Sequence, residues 1–333
     1  MRRTRALRLT ALAAGVVLAA SACGVTNSSG GSASAEDGPV TDLEIMVPNS
    51  PGSGYDLTAR TAAKIMEDEG IAEGIEVFNL DGAGGTVGLA RTVNEAGNGN
   101  LAMLMGLGVV GASYTNETDA TLDQTTPVAK LIEEPGAVVV PKDSQFKTID
   151  DLIAAWKKDP GSLAVGGGSS AGGPDHLLPM QMAQTVGIDP KDVNYVSYDG
   201  GGELLPALLG NKLAFATTGP GEVLDQINSG EVRVLAVSSE ERVDTVDAPT
   251  LKESGVDLVF TNWRGLVAPP DITEQDREEL VTAVEKLHDT KAWEKALEAN
   301  GWTDAFATGD EFKSYMVEQD KRVVDVLKDL GLA

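Results

Sequence analysis

VGGGSSAGGPDH occupies Val165–His176. It holds five glycines, two adjacent serines and one of the chain's two histidines. Gly168-Ser169-Ser170-Ala171-Gly172 fits the G-x-S-x-G pattern of a nucleophile elbow. The stretch also fits a loop of backbone amides that holds an anion, and a plain flexible turn. Its flanks narrow the choice. LAVGG (163–167) reads as a strand and DHLLPMQMAQTVG (175–187) as a helix. Strand, Gly-rich turn and helix recur in the same order in MVPNSPGSGYDLTAR (46–60). Two α/β lobes, each with such a loop at a strand's carboxyl end, would face each other across a cleft, where open α/β sheets take their ligands.

On either side of this stretch, short apolar runs alternate with helical ones. LEIMV (43–47), IEVFNL (75–80), LAMLMG (101–106), TPVAKLI (126–132), GAVVVP (136–141), VNYVSY (193–198), LAFATT (213–218) and VRVLAVSS (232–239) read as strands. The segments 56–70, 86–96, 148–159, 202–211 and 221–230 read as helices. Strands separated by helices of this length imply parallel sheets with right-handed crossovers. After WRGLVAP (263–269) the chain reads as nearly all helix: 273–289, 291–300 and 309–331.

The N-terminus carries Arg2, Arg3, Arg5 and Arg8, then the apolar ALAAGVVLAA, which is too short to span a bilayer. This reads as a signal peptide over 1–22. The small residues before Cys23 resemble the lipobox of bacterial lipoproteins, although Ala20 stands where leucine is usual. Cys23 is the only cysteine, so no intrachain disulfide is possible and lipidation is expected; ordinary cleavage near Ala22 is the alternative. The Gly/Ser-rich segment 23–41 reads as a flexible tether. From residue 42 the remaining length exceeds what one core usually serves, so two lobes are expected. With 51 acidic and 26 basic residues the chain lacks the basic footprint of a nucleic-acid binder. An anionic ligand would have to be held by local dipoles against the global field.

At this point the chain resembles the substrate-binding proteins of tripartite tricarboxylate transporters. The stretches that carry the resemblance are VPNSPGSGYDLTAR, NLDGAGGTVGLA, GGSSAGGPDHL, VNYVSYDGGGELLPALLGNKLAFATTGPGE, GEVRVLAVSSEERVDTVDAPTLKESG and NWRGLVAP, in order over about 42–270. The resemblance implies a two-lobed type II periplasmic-binding-protein fold that closes on a carboxylated small molecule in the interlobe cleft. It implies a first ligand loop with Asn49, Ser50, Gly52, Ser53, Gly54, Tyr55 and Asp56. It implies a second with Ser169, Ser170, Gly172 and His176, completed by Tyr198, Gly200 and Thr218. Three positions depart from the family pattern: Tyr55 where a small residue is usual, Asp199 where lysine is common, and Asn49 for an aromatic or aliphatic residue. A phenol at the mouth and a lost cation imply a ligand smaller or less charged than citrate.

Individual residues admit competing readings. A hydrolase using Ser170 needs a histidine that faces it; His176 lies only six residues on, and His288 falls inside a helix. Glycines fit an amide cradle better. Asp56 reads as a helix cap paired with Arg60, or as a ligand contact. His176 reads as a helix-start residue bonded to its own loop, or as a ligand contact. Arg264 reads as a solvated surface arginine, with a role as ligand charge partner the alternative. Asp81–Gly88 lacks the dinucleotide spacing and reads as a structural turn. Two distant histidines and one cysteine give no metal site, and no cofactor is expected.

The expectation is therefore an exported, lipid-anchored, monomeric solute receptor on the outer face of the cytoplasmic membrane. Its lobes are 42–140 plus 262–333, and 141–261. It captures a di- or tricarboxylate by closure and delivers it to the large and small membrane subunits of a secondary transporter. It catalyses no reaction. A secreted serine hydrolase and a ligand sensor are the alternatives.

Overall fold

The computed structural model describes residues 38–332. The expected signal peptide, Cys23 and nearly all of the tether lie outside the described residues. Two mixed sheets organise the rest. The larger has the strand order Thr303–Thr308, Thr126–Pro135, Thr261–Ala268, Leu101–Gly106, Glu44–Val47, Glu76–Asn79. The smaller runs Val232–Val237, Ala137–Pro141, Phe215–Thr218, Val165–Gly167, Tyr195–Ser197. Strands such as Leu101–Gly106 and Ala137–Pro141 are buried along their whole length. They are covered on both faces, which is why they read as unbroken apolar runs.

The sheets are not purely parallel. Ala137–Pro141 runs antiparallel to both of its neighbours. Thr261–Ala268 is antiparallel to Leu101–Gly106 and to Thr126–Pro135, and Thr303–Thr308 is antiparallel to Thr126–Pro135. Thr126–Pro135, Ala137–Pro141 and Thr261–Ala268 flank the places where the chain changes sheets. The first change occurs at Gly136, between Thr126–Pro135 and Ala137–Pro141; the second lies between Val237 and Thr261. Ser238 ties both places together. Its hydroxyl accepts from the Gly136 amide at 2.8 Å and donates to the Phe260 carbonyl at 2.6 Å, while its own amide donates to the Gly136 carbonyl at 2.8 Å.

Several elements differ from the sequence reading. Leu107–Thr115 is a helix that its uniform hydrophobicity conceals, since a helix buried all round shows no polar face. Thr303–Thr308 is a strand inside the supposedly helical end, and TPVAKLI extends to Pro135. The segment 221–230 divides into a 3₁₀ turn, Pro220–Val223, and a short helix, Leu224–Asn228. The first helix begins at Gly54 rather than Asp56, because Ser53 caps it: its Oγ accepts from the Asp56 amide at 3.3 Å.

Candidate ligand site

Four of the parallel strands end at one cleft between the sheets. Glu44–Val47 leads into the loop that reaches Asn49, Ser53 and Gly54, and Val165–Gly167 leads into Gly168–Ser170. Glu76–Asn79 leads into the turn of Gly84, and Leu101–Gly106 opens directly into the helix that carries Gly108. Tyr55, Pro174, Asp175, Glu222, Asn262 and Arg264 complete the wall. The cleft encloses about 450 Å³ of space not filled by atoms, its opening to solvent included.

Of the expected residues, Asn49, Ser53, Gly54, Tyr55, Ser169 and Ser170 line this cleft. Ser50, Gly52, Asp56, Gly172, His176, Tyr198, Gly200 and Thr218 do not line it, and most of them are engaged elsewhere. The Asp56 carboxylate accepts from the Gly52 amide at 3.0 Å, from Arg60 Nε at 2.8 Å and from Asn79 Nδ2 at 3.0 Å. It fastens the first loop. Gly172 has φ +87°, and its N–H donates to His176 Nδ1 at 3.2 Å. That amide is therefore committed inside the loop. The His176 ring meets Tyr195 edge to face at 4.8 Å, and burial pushes its pKa down to about 4, so it stands neutral. Tyr198 packs on the smaller apolar cluster beneath the second sheet, and Thr218 is fully buried in its strand.

Several contacts hold the cleft narrow. Asn49 Nδ2 donates to Asp199 Oδ1 at 2.9 Å, and the Ser50 hydroxyl donates to the Asp199 carbonyl. The departures at Asn49 and Asp199 are thus partners of each other. A Cβ on Gly200 would stand 2.8 Å from that of Ser53. On the other side, a Cβ on Gly172 would stand 2.9 Å from the Gly111 carbonyl carbon, and Thr115 Oγ1 donates to the Ala171 carbonyl at 3.0 Å.

Tyr55 lies deeper than its reading at the mouth implied. It is 8% exposed, with its hydroxyl against the first-turn amides of Gly108 and Val109, and burial pushes its pKa up to about 12. Arg264 corrects the sequence reading most. It is 2% exposed, not solvated. Its guanidinium pairs with Glu134, lies 3.5 Å from Glu222 Oε1, and donates to Thr58 Oγ1 at 3.1 Å. Burial, reinforced by Glu134, pushes the Glu222 carboxyl up to about 7 against the pull of Arg264. Burial and the negative charges of Glu222 and Glu134 raise Asp175 well above the usual carboxylate range.

Asp175, Glu134, Glu222 and Asn262 were not singled out from the sequence, and Arg264 was read as exposed. A signal was present. Asn262 and Arg264 are two apart on one strand and so share a face, and the register sets Asn262 opposite Glu134 and Arg264 opposite Gly106. Gly84 belongs to the turn read as merely structural; it is a turn, with φ +65°, and also cleft wall.

The elbow reading finds no geometry. Ser170 does not have positive φ, its helix starts four residues later at Pro174, and the His176 nitrogen that faces the loop accepts from Gly172. His288 stacks on Phe306 and meets Asp304. Among the described residues no cluster of His, Cys, Asp and Glu is arranged to hold a metal ion, and no helix is long and apolar enough to cross a membrane.

Residues 58–332 match the tripartite tricarboxylate transporter family receptor. The chain belongs to that family. Protein BugT of Bordetella pertussis is 28% identical over 304 residues, covering 90% of this chain and 92% of BugT. MatC of Rhodopseudomonas palustris, solved with bound malate, superposes with a TM-score of 0.76 at 24% identity, over 87% of this chain and 99% of MatC. A second R. palustris protein, solved with adipate, gives 0.77 at 22% identity, over 88% of this chain and 98% of that one. The two solved structures share the receptor's fold. As a member of this family the receptor is an extracytoplasmic solute-binding protein, and the hydrolase reading falls away.

Proposed function

We propose that the receptor closes two lobes, one built on each sheet and parted at Gly136, rather than at 140, and between Val237 and Thr261, on a small carboxylate. It then presents that ligand to the membrane subunits of a secondary transporter and performs no chemistry on it. Lipid attachment at Cys23 would hold it at the outer face of the cytoplasmic membrane. One observation carries the reading: loops from both sheets meet at the carboxyl ends of their strands around one small polar cleft. Ser169 and Ser170, both on the cleft wall, supply backbone amides that take no part in hydrogen bonds among the described residues. Such amides serve an anion well in a molecule whose net charge opposes it. The malate and adipate bound by structural relatives support a ligand of that size.

A thermal-shift screen of organic acids tests this. A ligand present at a hundred times its Kd adds about 2.7 kcal/mol of stability. A panel of two- to six-carbon carboxylates that leaves the melting temperature unchanged would remove the proposal.

A further inference from the structure

One buried cluster of charge straddles the two sheets. Glu134 and Arg264 stand on strands of the larger sheet, while Asp175 and Glu222 lie beyond the ends of strands of the smaller. The Arg264 guanidinium pairs with Glu134 and lies 3.5 Å from Glu222 Oε1. Glu222 also faces the Gly54 amide, and a Cβ on Gly219 would stand 2.8 Å from Glu134 Oε1. Each half of the molecule therefore covers carboxyls of the other. Three carboxyls, Glu134, Asp175 and Glu222, against one guanidinium leave an excess of two negative charges when all are ionised. Burial and mutual repulsion raise Asp175 well above the usual carboxylate range and Glu222 to about 7.

The hydrogen bonds make an independent case for a proton here. Glu134 Oε2 and Asn262 Oδ1 are buried acceptors with no donor among the described residues. A protonated carboxyl is a donor, whereas an ionised one only accepts. The surrounding elements offer no spare cation. From the Gly54–Asp68 helix, Arg60 is held by Asp56 and Lys64 by Asp68. The Leu224–Asn228 helix adds Asp225, a further acid. The Gly201–Leu209 helix meets Glu222 at Gly201, and its Glu203 faces the Asp199 amide. Asn300, which is neutral, borders Gly221, and the phenols of Tyr55 and Tyr195 stay neutral beside Asp175. Glu222 also lines a second groove, with Asp56, Arg60, Lys64 and Asp225, so protons reach it without crossing the ligand cleft.

We infer that bringing the two halves together takes up a proton from solvent onto the Asp175–Glu222 pair, and that a rise in pH opens the receptor. The inference rests on the closure reading above. When the halves part, Glu222 loses Gly54 and Arg264, water enters, and both carboxyls return toward ordinary acidity. The closed form thus binds more protons than the open one. Its advantage is complete below the ordinary carboxylate range and is lost as the pH rises through about 7. One proton per closure changes the closed-to-open ratio by at most about 10-fold per pH unit.

Spin-label distances on the ligand-free protein test it, with labels at Val87 and Leu209, exposed residues of the two halves. The closed-to-open ratio should fall about 10-fold or more between pH 5 and pH 8. It should fall less steeply in Asp175→Asn and in Glu222→Gln, and by no more than about 2-fold in the double variant. Circular dichroism checks that each variant is folded, and the wild-type measurement stands without them. A ratio that is constant or rises with pH overturns the inference, as does a fall that the double variant retains. Malate and adipate serve as closing probes. If they shorten the distance while pH leaves it unmoved, this inference alone fails. If neither the acids nor pH moves it, the closure reading fails as well.

Discussion

His176 shows how far a buried side chain departs from its free chemistry. Its pKa falls from 6.5 to about 4 on folding, so between those values the unfolded chain binds more protons than the folded one. The stability it permits is complete above pH 6.5 and declines as the pH drops to about 4, by about 3 kcal/mol in all. The chain has two histidines, and NMR should find the His176 imidazole titrating near pH 4. A titration near 6.5 at His176 would contradict its burial. Glu222 has the opposite sign. Its carboxyl is raised from 4.5 to about 7, so the folded state loses stability as the pH climbs through that interval. Glu222→Gln removes the charge, and its stability relative to wild type, from urea midpoints at pH 5 and pH 8, should improve at the higher pH. Tyr55→Ser would enlarge the floor of the cleft and shift preference toward longer acids by about 1–3 kcal/mol; unchanged relative affinities across a panel would place the phenol out of the ligand's reach. The roles of His176 and Asp56 were open from the sequence because their local partners, Gly172 for one and Gly52 and Arg60 for the other, are joined by distant ones, Tyr195 and Asn79, while Arg264 was misread. Its burial depends on a strand register across more than a hundred residues, which no neighbouring residue reports.

At the scale of elements, the loop–helix units were legible because they are local. Strand, glycine turn and helix follow one another in sequence at both Pro48–Asp56 and Gly168–His176, and the structure keeps both orders. The antiparallel strands were not legible, since direction is set by which sheet a strand joins rather than by its own residues. The close approach of the second loop to the Leu107–Thr115 helix is the element contact most open to test. Gly172 takes φ +87° there and leaves no room for a side chain against Gly111. Gly172→Val strains the backbone and wedges the contact apart, so ligand affinity should fall more than about 100-fold. Ser170→Ala removes at most one side-chain hydrogen bond, about 0.5–1.5 kcal/mol, and should cost about 10-fold or less. Titration of both variants decides the order; a dead serine variant beside a binding glycine variant would reverse it.

Across the whole molecule, the family fold was legible from the ordered set of motifs, while the acidic make-up of the cleft was not, because Glu134, Asp175 and Glu222 are scattered along the chain and only tertiary structure gathers them. Two expectations belong at this scale. Cys23→Ser should release the protein to the medium or leave it unprocessed, and an unmodified Cys23 in the mass spectrum of the wild type would end the anchoring proposal. Ser238→Ala should cost about 1–3 kcal/mol, because it leaves the buried Gly136 amide without its acceptor; denaturant unfolding measures it.

The position of Ser238 has a mechanical consequence. Both stretches of chain that join the sheets are bound to this one residue, so twisting either stretch drags on the other. A pair of independent connectors would let the halves shear and wobble as well as swing. In the closure proposed above, connectors pinned together at a single hydroxyl would favour one rotational path, and the contacts at Asn49–Asp199 and Gly111–Gly172 would engage as a single event. Ser238→Ala should then broaden the distribution of interlobe distances measured between spin labels on the two rims, with little change in their mean.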